Sequence, residues 1–237
     1  MYRVEDKYSC TAQELAILQS RIGTILESDS NENGEEGYSI ISVYFDDIYD
    51  THMQDTIDGN SFRDKYRIRI YNHSFDTIKL EVKSKSYNRV NKKSSLITYD
   101  QMQQLLQGNS IEHRNSFDDP ATLFHIAISE RRLSPKVIVA YERKAYVYEP
   151  GNVRITFDRN IRASNQIELF GNSKITYDHF RQENDAVLEV KYDEFMPGFI
   201  SQMLETGNMR QTSYSKYRLC REIYSNGGNV NVSERCD

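Results

Sequence analysis

The sequence predicts an α+β fold in which an antiparallel β-barrel closes around a charged tunnel, with helices packed on the outside. Three observations point there. Strand-length segments recur along the chain with apolar and charged side chains alternating at period two. The charged face of strand after strand carries Arg and Lys, with Glu in the minority. Only 38% of the 237 residues are hydrophobic and the mean hydropathy is −0.71, so polar groups occupy space that a core would ordinarily fill.

The elements follow in order. Residues 2 to 9 alternate as a strand, and Thr11-Ala12-Gln13-Glu14 reads as a capping box. The helix it opens has Leu15, Leu18, Ile22 and Ile25 on one apolar face. An acidic loop over 31–37 leads to a strand from Tyr38 to Phe45, and 46–60 is a connection with room for a helical turn. Phe62 to Tyr71 and Thr77 to Lys85 form a hairpin around Asn72 to Asp76. Leu96 to Thr98 is a short strand, followed by helices over 100–107 and 120–132. Lys136 to Tyr148 and Val153 to Asp158 form a second hairpin around Pro150-Gly151-Asn152. Ile167 to Leu169 and Ala186 to Tyr192 add strands, and helices over 199–205 and 215–224 close one domain spanning 1–224. Residues 225–237, rich in Gly and Asn, read as a disordered tail. The 17 Tyr and only 4 Pro suit such a strand-rich chain.

On the first strand Arg3, Glu5 and Lys7 share a face; on the next long pair it is Arg63, Lys65, Arg67 and Arg69, then Lys79, Glu81, Lys83 and Lys85. Arg143 lies between Tyr141 and Ala145, Arg154 shares a face with Asp158, and Glu189 shares one with Lys191. Periodicity alone favours a sandwich or open sheet with one solvated face. Two details favour the inverted barrel. Solvated faces mix signs and use Thr and Ser, and four aligned cations at 63, 65, 67 and 69 repel one another unless an anion lies among them. A lining of Arg and Lys suits a chain of phosphates, with Arg making bidentate contacts and Lys supplying point charge. Glu5, Glu81 and Glu189 are the carboxylates available to a hard divalent cation.

Several classes are excluded. A net charge of −5 argues against a general nucleic-acid binder. The three cysteines, Cys10, Cys220 and Cys236, match no metal or redox spacing and read as reduced thiols of a cytoplasmic protein. No apolar run approaches the ~20 residues a membrane helix needs. There is no Walker-type Gly-x-x-x-x-Gly-Lys pattern, and the five His are scattered.

On these motifs the chain resembles the polyphosphate polymerase domain of the vacuolar transporter chaperone (VTC) family, a branch of the triphosphate tunnel metalloenzymes. The carriers are Arg3-x-Glu5-x-Lys7-Tyr8, Ser42-x-Tyr44-Phe45-Asp46, Arg67-x-Arg69-x-Tyr71 and Glu81-x-Lys83. Tyr141-x-Arg143, Val153-Arg154-x-Thr156-x-Asp158, Leu188-Glu189-Val190-Lys191 and Ser213-x-Ser215-Lys216-Tyr217 complete the series. The resemblance implies the triphosphate tunnel fold and transfer of the γ-phosphate of ATP onto inorganic polyphosphate, with Mn²⁺ or Mg²⁺. It implies that Lys7, Arg67, Arg69, Lys83, Arg143, Arg154, Lys191, Ser215 and Lys216 hold phosphates, with Arg67, Arg69, Lys83 and Lys216 catalytic, and that Glu189 binds the metal. Two alternatives stay open: a metal-dependent triphosphatase of the CYTH type, and a non-catalytic module that binds polyphosphate or inositol phosphates. The CYTH branch opens Glu-x-Glu-x-Lys, whereas this chain has Arg3 at the first position, which favours holding a polyanion over two-metal hydrolysis. A separate membrane protein is left open as a partner, because eukaryotic relatives work in membrane complexes; the oligomeric state is not legible.

Overall fold

The computed structural model describes residues 4–29, 37–87, 89–179, 186–205 and 210–225. The expectations for Arg3, for most of the acidic loop, for Cys236 and for the tail from 226 on fall outside them. The chain runs β1 (Val4–Cys10), α1 (Ala12–Gly23), β2 (Glu27–Ser28), β3 (Tyr38–Asp46), α2 (Thr51–Ile57), β4 (Phe62–Tyr71), β5 (Ser74–Ser86) and β6 (Arg89–Leu96). It continues α3 (Tyr99–Leu106), α4 (Pro120–Arg131), β7 (Ser134–Tyr148), β8 (Val153–Ser164), β9 (Asp178–His179), β10 (Ala186–Tyr192), α5 (Gly198–Leu204), β11 (Arg210–Gln211) and α6 (Lys216–Ser225).

All strands join one antiparallel sheet in the order β11-β1-β10-β8-β7-β3-β4-β5-β6, with β2 and β9 attached at the side. Its hydrogen bonds do not close a ring among the described residues. The sheet curls until β1 and β6 come within 8 Å of each other, and Lys83 on β5 donates to both oxygens of Glu5 on β1 across the seam at 2.9 and 3.0 Å. Among the described residues the open edge is thus bridged by a side-chain contact, and no backbone ladder joins it.

Local chemistry explains most boundaries. Thr11 and Glu14 form the expected capping box of α1, while Leu26 replaces the exposed Ile25 at the end of its apolar face. The β4–β5 hairpin turns on Asn72 and His73 alone, both at positive φ (52° and 56°), as a type I′ turn requires. Two expectations needed correction. Leu96 is the last residue of a strand that starts at Arg89, and Thr98 is the N-cap of α3, paired with Gln101 in a second capping box. Ile167 to Leu169 form a single 3-10 turn, not a strand.

The apolar faces of β3, β4 and β5 point outward under α3 and α4, where Phe124 meets Phe45 and Tyr66 edge-on at 5.2 Å each. The outer faces of β8 and β10 are covered by α1 and α5. One helix departs from the predicted arrangement. α6 packs against the concave face, where Tyr217, Cys220 and Ile223 join Tyr44, Val139 and Tyr141 in a cluster that fills one end of the curl. Burial pushes the Cys220 thiol up to about 12 and that of Cys10 to about 11, so both stay protonated.

If the outer coat holds the curl together, Phe124→Ala should destabilise the fold by about 3–5 kcal/mol, read from the denaturant midpoint. A loss under about 1 kcal/mol would mean that α4 is dispensable to the sheet.

Candidate functional site

The concave face carries the charge. Period-two alternation sends Arg67 and Arg69 of β4 inward while Tyr66, Ile68 and Ile70 go out to the coat. Arg67 binds Glu81 through Nε and Nη2, both at 2.6 Å, and donates to the Tyr44 hydroxyl at 3.0 Å. Arg69 donates to Ser42 Oγ at 3.1 Å and to the Tyr141 hydroxyl at 3.2 Å. Lys92 reaches the other oxygen of Glu81 at 3.1 Å. Burial would raise the Glu81 carboxyl, but Arg67, Arg69 and Lys92 hold it far below the usual carboxylate range.

The opposite wall is built the same way. Arg143 grips Asp158 with two bonds of 2.6 and 2.7 Å. Lys216, the first residue of α6, bridges Asp158 at 2.6 Å and Glu189 at 2.9 Å. Glu189 also receives Lys191 at 3.0 Å, Arg143 at 3.6 Å and Lys7 at 3.7 Å. Burial alone would raise the Glu189 carboxyl, yet Lys216, Lys191, Lys7 and Arg143 hold it well below its ordinary value. Burial likewise disfavours the Lys216 ammonium, but Asp158 and Glu189 raise it far above the lysine range. Both groups are locked in their charged forms.

Residues 212–215, between β11 and α6, cross the open side. The backbone N–H of Thr212 donates to Lys7 O at 2.8 Å, Lys7 Nζ to Tyr214 O at 3.0 Å and Lys65 Nζ to Ser215 Oγ at 2.8 Å. Inside this crossing lies a cavity of about 90 Å³. It opens at Lys7, Lys65, Lys83 and Ser215 into a wider one of about 500 Å³, whose rim includes Arg63 and Lys85. A separate groove of about 470 Å³ by β6 and the start of α4 gathers no comparable set of cations.

Of the sequence-predicted residues, Lys7, Arg67, Arg69, Lys83, Arg143, Glu189, Lys191, Ser215 and Lys216 all line the inner cavity. Arg154 does not. It donates to Asp29 and, at 3.1 Å, to the Tyr38 hydroxyl, so its charge is already answered outside the cavity lining. Sequence reasoning missed the tyrosines. Tyr44 and Tyr141 accept from the arginines, Tyr217 stacks on Tyr44 at 5.2 Å, and its hydroxyl donates to buried Asp46 at 2.5 Å. The signal was present in Ser42-x-Tyr44-Phe45-Asp46 and Tyr141-x-Arg143, where an aromatic lies two residues from a polar or cationic group on the same face.

The metal expectation can be tested against the donors. Among the described residues no three Asp, Glu, His or Cys side chains converge on one point. Among the described residues that line the inner cavity, Glu189 is the one carboxylate. A Mg²⁺-like ion commonly takes one or two carboxylates and completes its shell with phosphate oxygens and water. The residues present make no all-protein metal cage, and a divalent ion at Glu189 would have to share oxygens that Lys216 and Lys191 already hold at 2.9 and 3.0 Å.

A curled antiparallel sheet with a basic concave face, an apolar coat and carboxylates set among the cations defines a triphosphate tunnel protein. The chain belongs to the VTC domain family, whose profile matches residues 2–224. Two solved structures share the fold. One is a candidate adenylyl cyclase from Hippeastrum with a dominant triphosphatase activity, at 12% identity and a TM-score of 0.55, covering 98% of this chain and 100% of that one. The other is a candidate adenylate cyclase from Vibrio parahaemolyticus, at 11% identity and a TM-score of 0.50, covering 92% and 97%. At these identities the likeness shows the fold alone. No curated protein sequence matches.

Lys83 gives the site a pH dependence. Burial lowers its pKa, Glu5 opposes this, and Lys7 and Lys191 add to the lowering, leaving it at about 7 against 10.5 for the free side chain. Between these values the unfolded chain holds the proton and the folded one does not, so this lysine's contribution to the stability of the empty protein grows as pH rises. Its pull on an anion fades over the same window. Melting curves of wild type and Lys83→Met from acid to alkaline pH should show the variant losing that rise in stability above neutrality. Parallel curves would contradict it.

Proposed function

We propose that the protein is an ATP-dependent polyphosphate polymerase that transfers the γ-phosphate of ATP onto a growing inorganic polyphosphate chain inside the basic cavity. The observation that carries this reading is that nine residues singled out from the sequence, drawn from five strands and from the start of α6, line one small cavity in a VTC-family chain.

The chemistry needs positioning and charge rather than a strong base. A terminal oxygen of the acceptor chain is already anionic at neutral pH. It attacks the γ-phosphorus, the bond from that phosphorus to the bridging oxygen breaks, ADP leaves, and the chain grows by one phosphate. Arg67 and Arg69 neutralise charge on the equatorial oxygens, held in place by Glu81, Ser42 and the Tyr44 and Tyr141 hydroxyls. Lys216 and Arg143 face them from the other wall and neutralise charge on the same phosphates. Lys7, Lys83 and Lys191 hold the rest of the chain, and Ser215 supplies a hydroxyl beside Lys65. A divalent ion at Glu189, Mn²⁺ or Mg²⁺, would neutralise phosphate charge beside them.

The test is incubation of purified protein with ATP and Mn²⁺ or Mg²⁺, with products resolved on a gel. Long polyphosphate is expected from the wild type and none from Glu189→Gln, with both proteins still stabilised by added polyphosphate. Free phosphate without polymer would replace this reading with the triphosphatase, and tight polyphosphate binding without turnover would replace it with the binding module.

A further inference from the structure

The transfer described above makes no use of one buried carboxylate. Asp46, wholly buried at the end of β3, accepts the Tyr217 hydroxyl at 2.5 Å. β3 is paired on both sides, by β4 and β7, and Asp46 is not one of the described residues that line the two cavities. With Asp47 it builds a stiff corner at the start of α2. Asp46 accepts the backbone N–H groups of Asp47, His52 and Met53 at 2.9, 3.0 and 3.0 Å, and Asp47 accepts those of Tyr49 and Thr51 at 2.9 and 3.0 Å. These bonds do for α2 what an N-cap side chain ordinarily does. Asp50, which occupies the N-cap position, makes no side-chain cap bond. Its carboxylate meets Arg221 of α6 at 2.7 Å and Lys136 of β7 at 3.5 Å instead.

Tyr217 and Arg221 lie one turn apart on α6, so the corner holds two successive turns of one helix face. Lys216 precedes Tyr217 and points about 100° away around the helix, to Asp158 on β8 and Glu189 on β10. A helix held on two faces cannot turn about its axis or slide along it without breaking a buried bond. The hold is needed. A lysine at the first position of a helix faces the positive end of its dipole, and the first turn of α6 carries no acidic residue. We propose that Asp46 is a positioning residue of the anion site: acting through the Tyr217 hydroxyl, it sets the rotation of α6 and so the place of the Lys216 ammonium. This rests on the anion-site reading above but not on which reaction the site performs. Burial and Asp46 hold the Tyr217 phenol far above its ordinary value, so its hydroxyl stays the donor to the carboxylate. Tyr217→Phe removes that one bond and keeps the ring that stacks on Tyr44.

Affinity for tripolyphosphate, measured by calorimetry on the whole protein, separates positioning from stability through a double-mutant cycle. Tyr217→Phe should weaken binding about fivefold in the wild-type background. In the Lys216→Met background it should weaken binding less than about twofold, since the ammonium it positions is gone. Asp46→Asn still accepts from α2 but holds the hydroxyl without a charge. It should repeat the pattern, and it carries the test if Tyr217→Phe folds poorly. Phe124→Leu, a destabilising change in the outer coat, should lower the melting temperature yet leave the affinity within about twofold of wild type. Unchanged affinity in Tyr217→Phe, an equal loss in both backgrounds, or a like loss from Phe124→Leu would each overturn the positioning role. The Tyr217–Asp46 bond would then be a structural tie, with the anion site still standing. If wild type bound no tripolyphosphate, the anion site itself would fall, and the role of Asp46 with it.

Discussion

Four carboxylates placed among eight cations around a small concave space hold the structure together. Without Glu81, Asp158, Glu189 and Glu5, the inward arginines and lysines would repel one another at distances where each pair is worth several kcal/mol at a low effective dielectric. With them, each wall becomes a local network of short bonds, and Glu5 on β1 meets Lys83 on β5 across the open edge. The compensation is incomplete. Cations still outnumber carboxylates by two to one, and that excess gives the empty protein its appetite for an anion. The expectation that only a ligand could quiet the row of cations on β4 therefore holds in part, since Glu81 already answers Arg67 and Arg69.

Turning the charged face inward decides the rest of the architecture. The apolar faces must be buried from outside, and α1, α3, α4 and α5 do this in two separate coats. The concave side in turn needs a boundary between its charged half and its apolar half. α6 supplies it. Its first residue is Lys216, in the charged network, and Tyr217, Cys220 and Ile223 follow in the apolar plug. Tyr217 ties that helix to Asp46, whose carboxylate also accepts the backbone N–H groups of His52 and Met53 at the start of α2. One buried carboxylate thus fixes the helix that delivers Lys216. Gly37 shows how closely the elements are fitted, since at φ +86° a Cβ there would sit 2.2 Å from the Arg143 carbonyl oxygen.

Much of this was legible in the sequence, because period-two charge on long strands leaves few ways to fold. The faces of β4, β5 and β10 were read correctly residue by residue. β6 was not, since Arg-Val-Asn-Lys-Lys-Ser-Ser has little strand propensity of its own and takes its form from pairing with β5. Ile167 to Leu169 have the composition of a strand, but among the described residues no strand pairs with them, and they form a turn. Arg154 matches its motif, yet its charge is spent on Asp29, a contact 125 residues away that no spacing rule reveals.

The central claim is that the excess cation charge of the concave face is an anion-binding site, and melting curves with and without tripolyphosphate test it most directly. A polyanion that binds only the folded chain should raise the melting temperature, with ~2.7 kcal/mol of stabilisation at about 100 times its dissociation constant. The rise should shrink as salt screens the cations. A melting temperature unmoved by saturating tripolyphosphate at low salt would contradict the account.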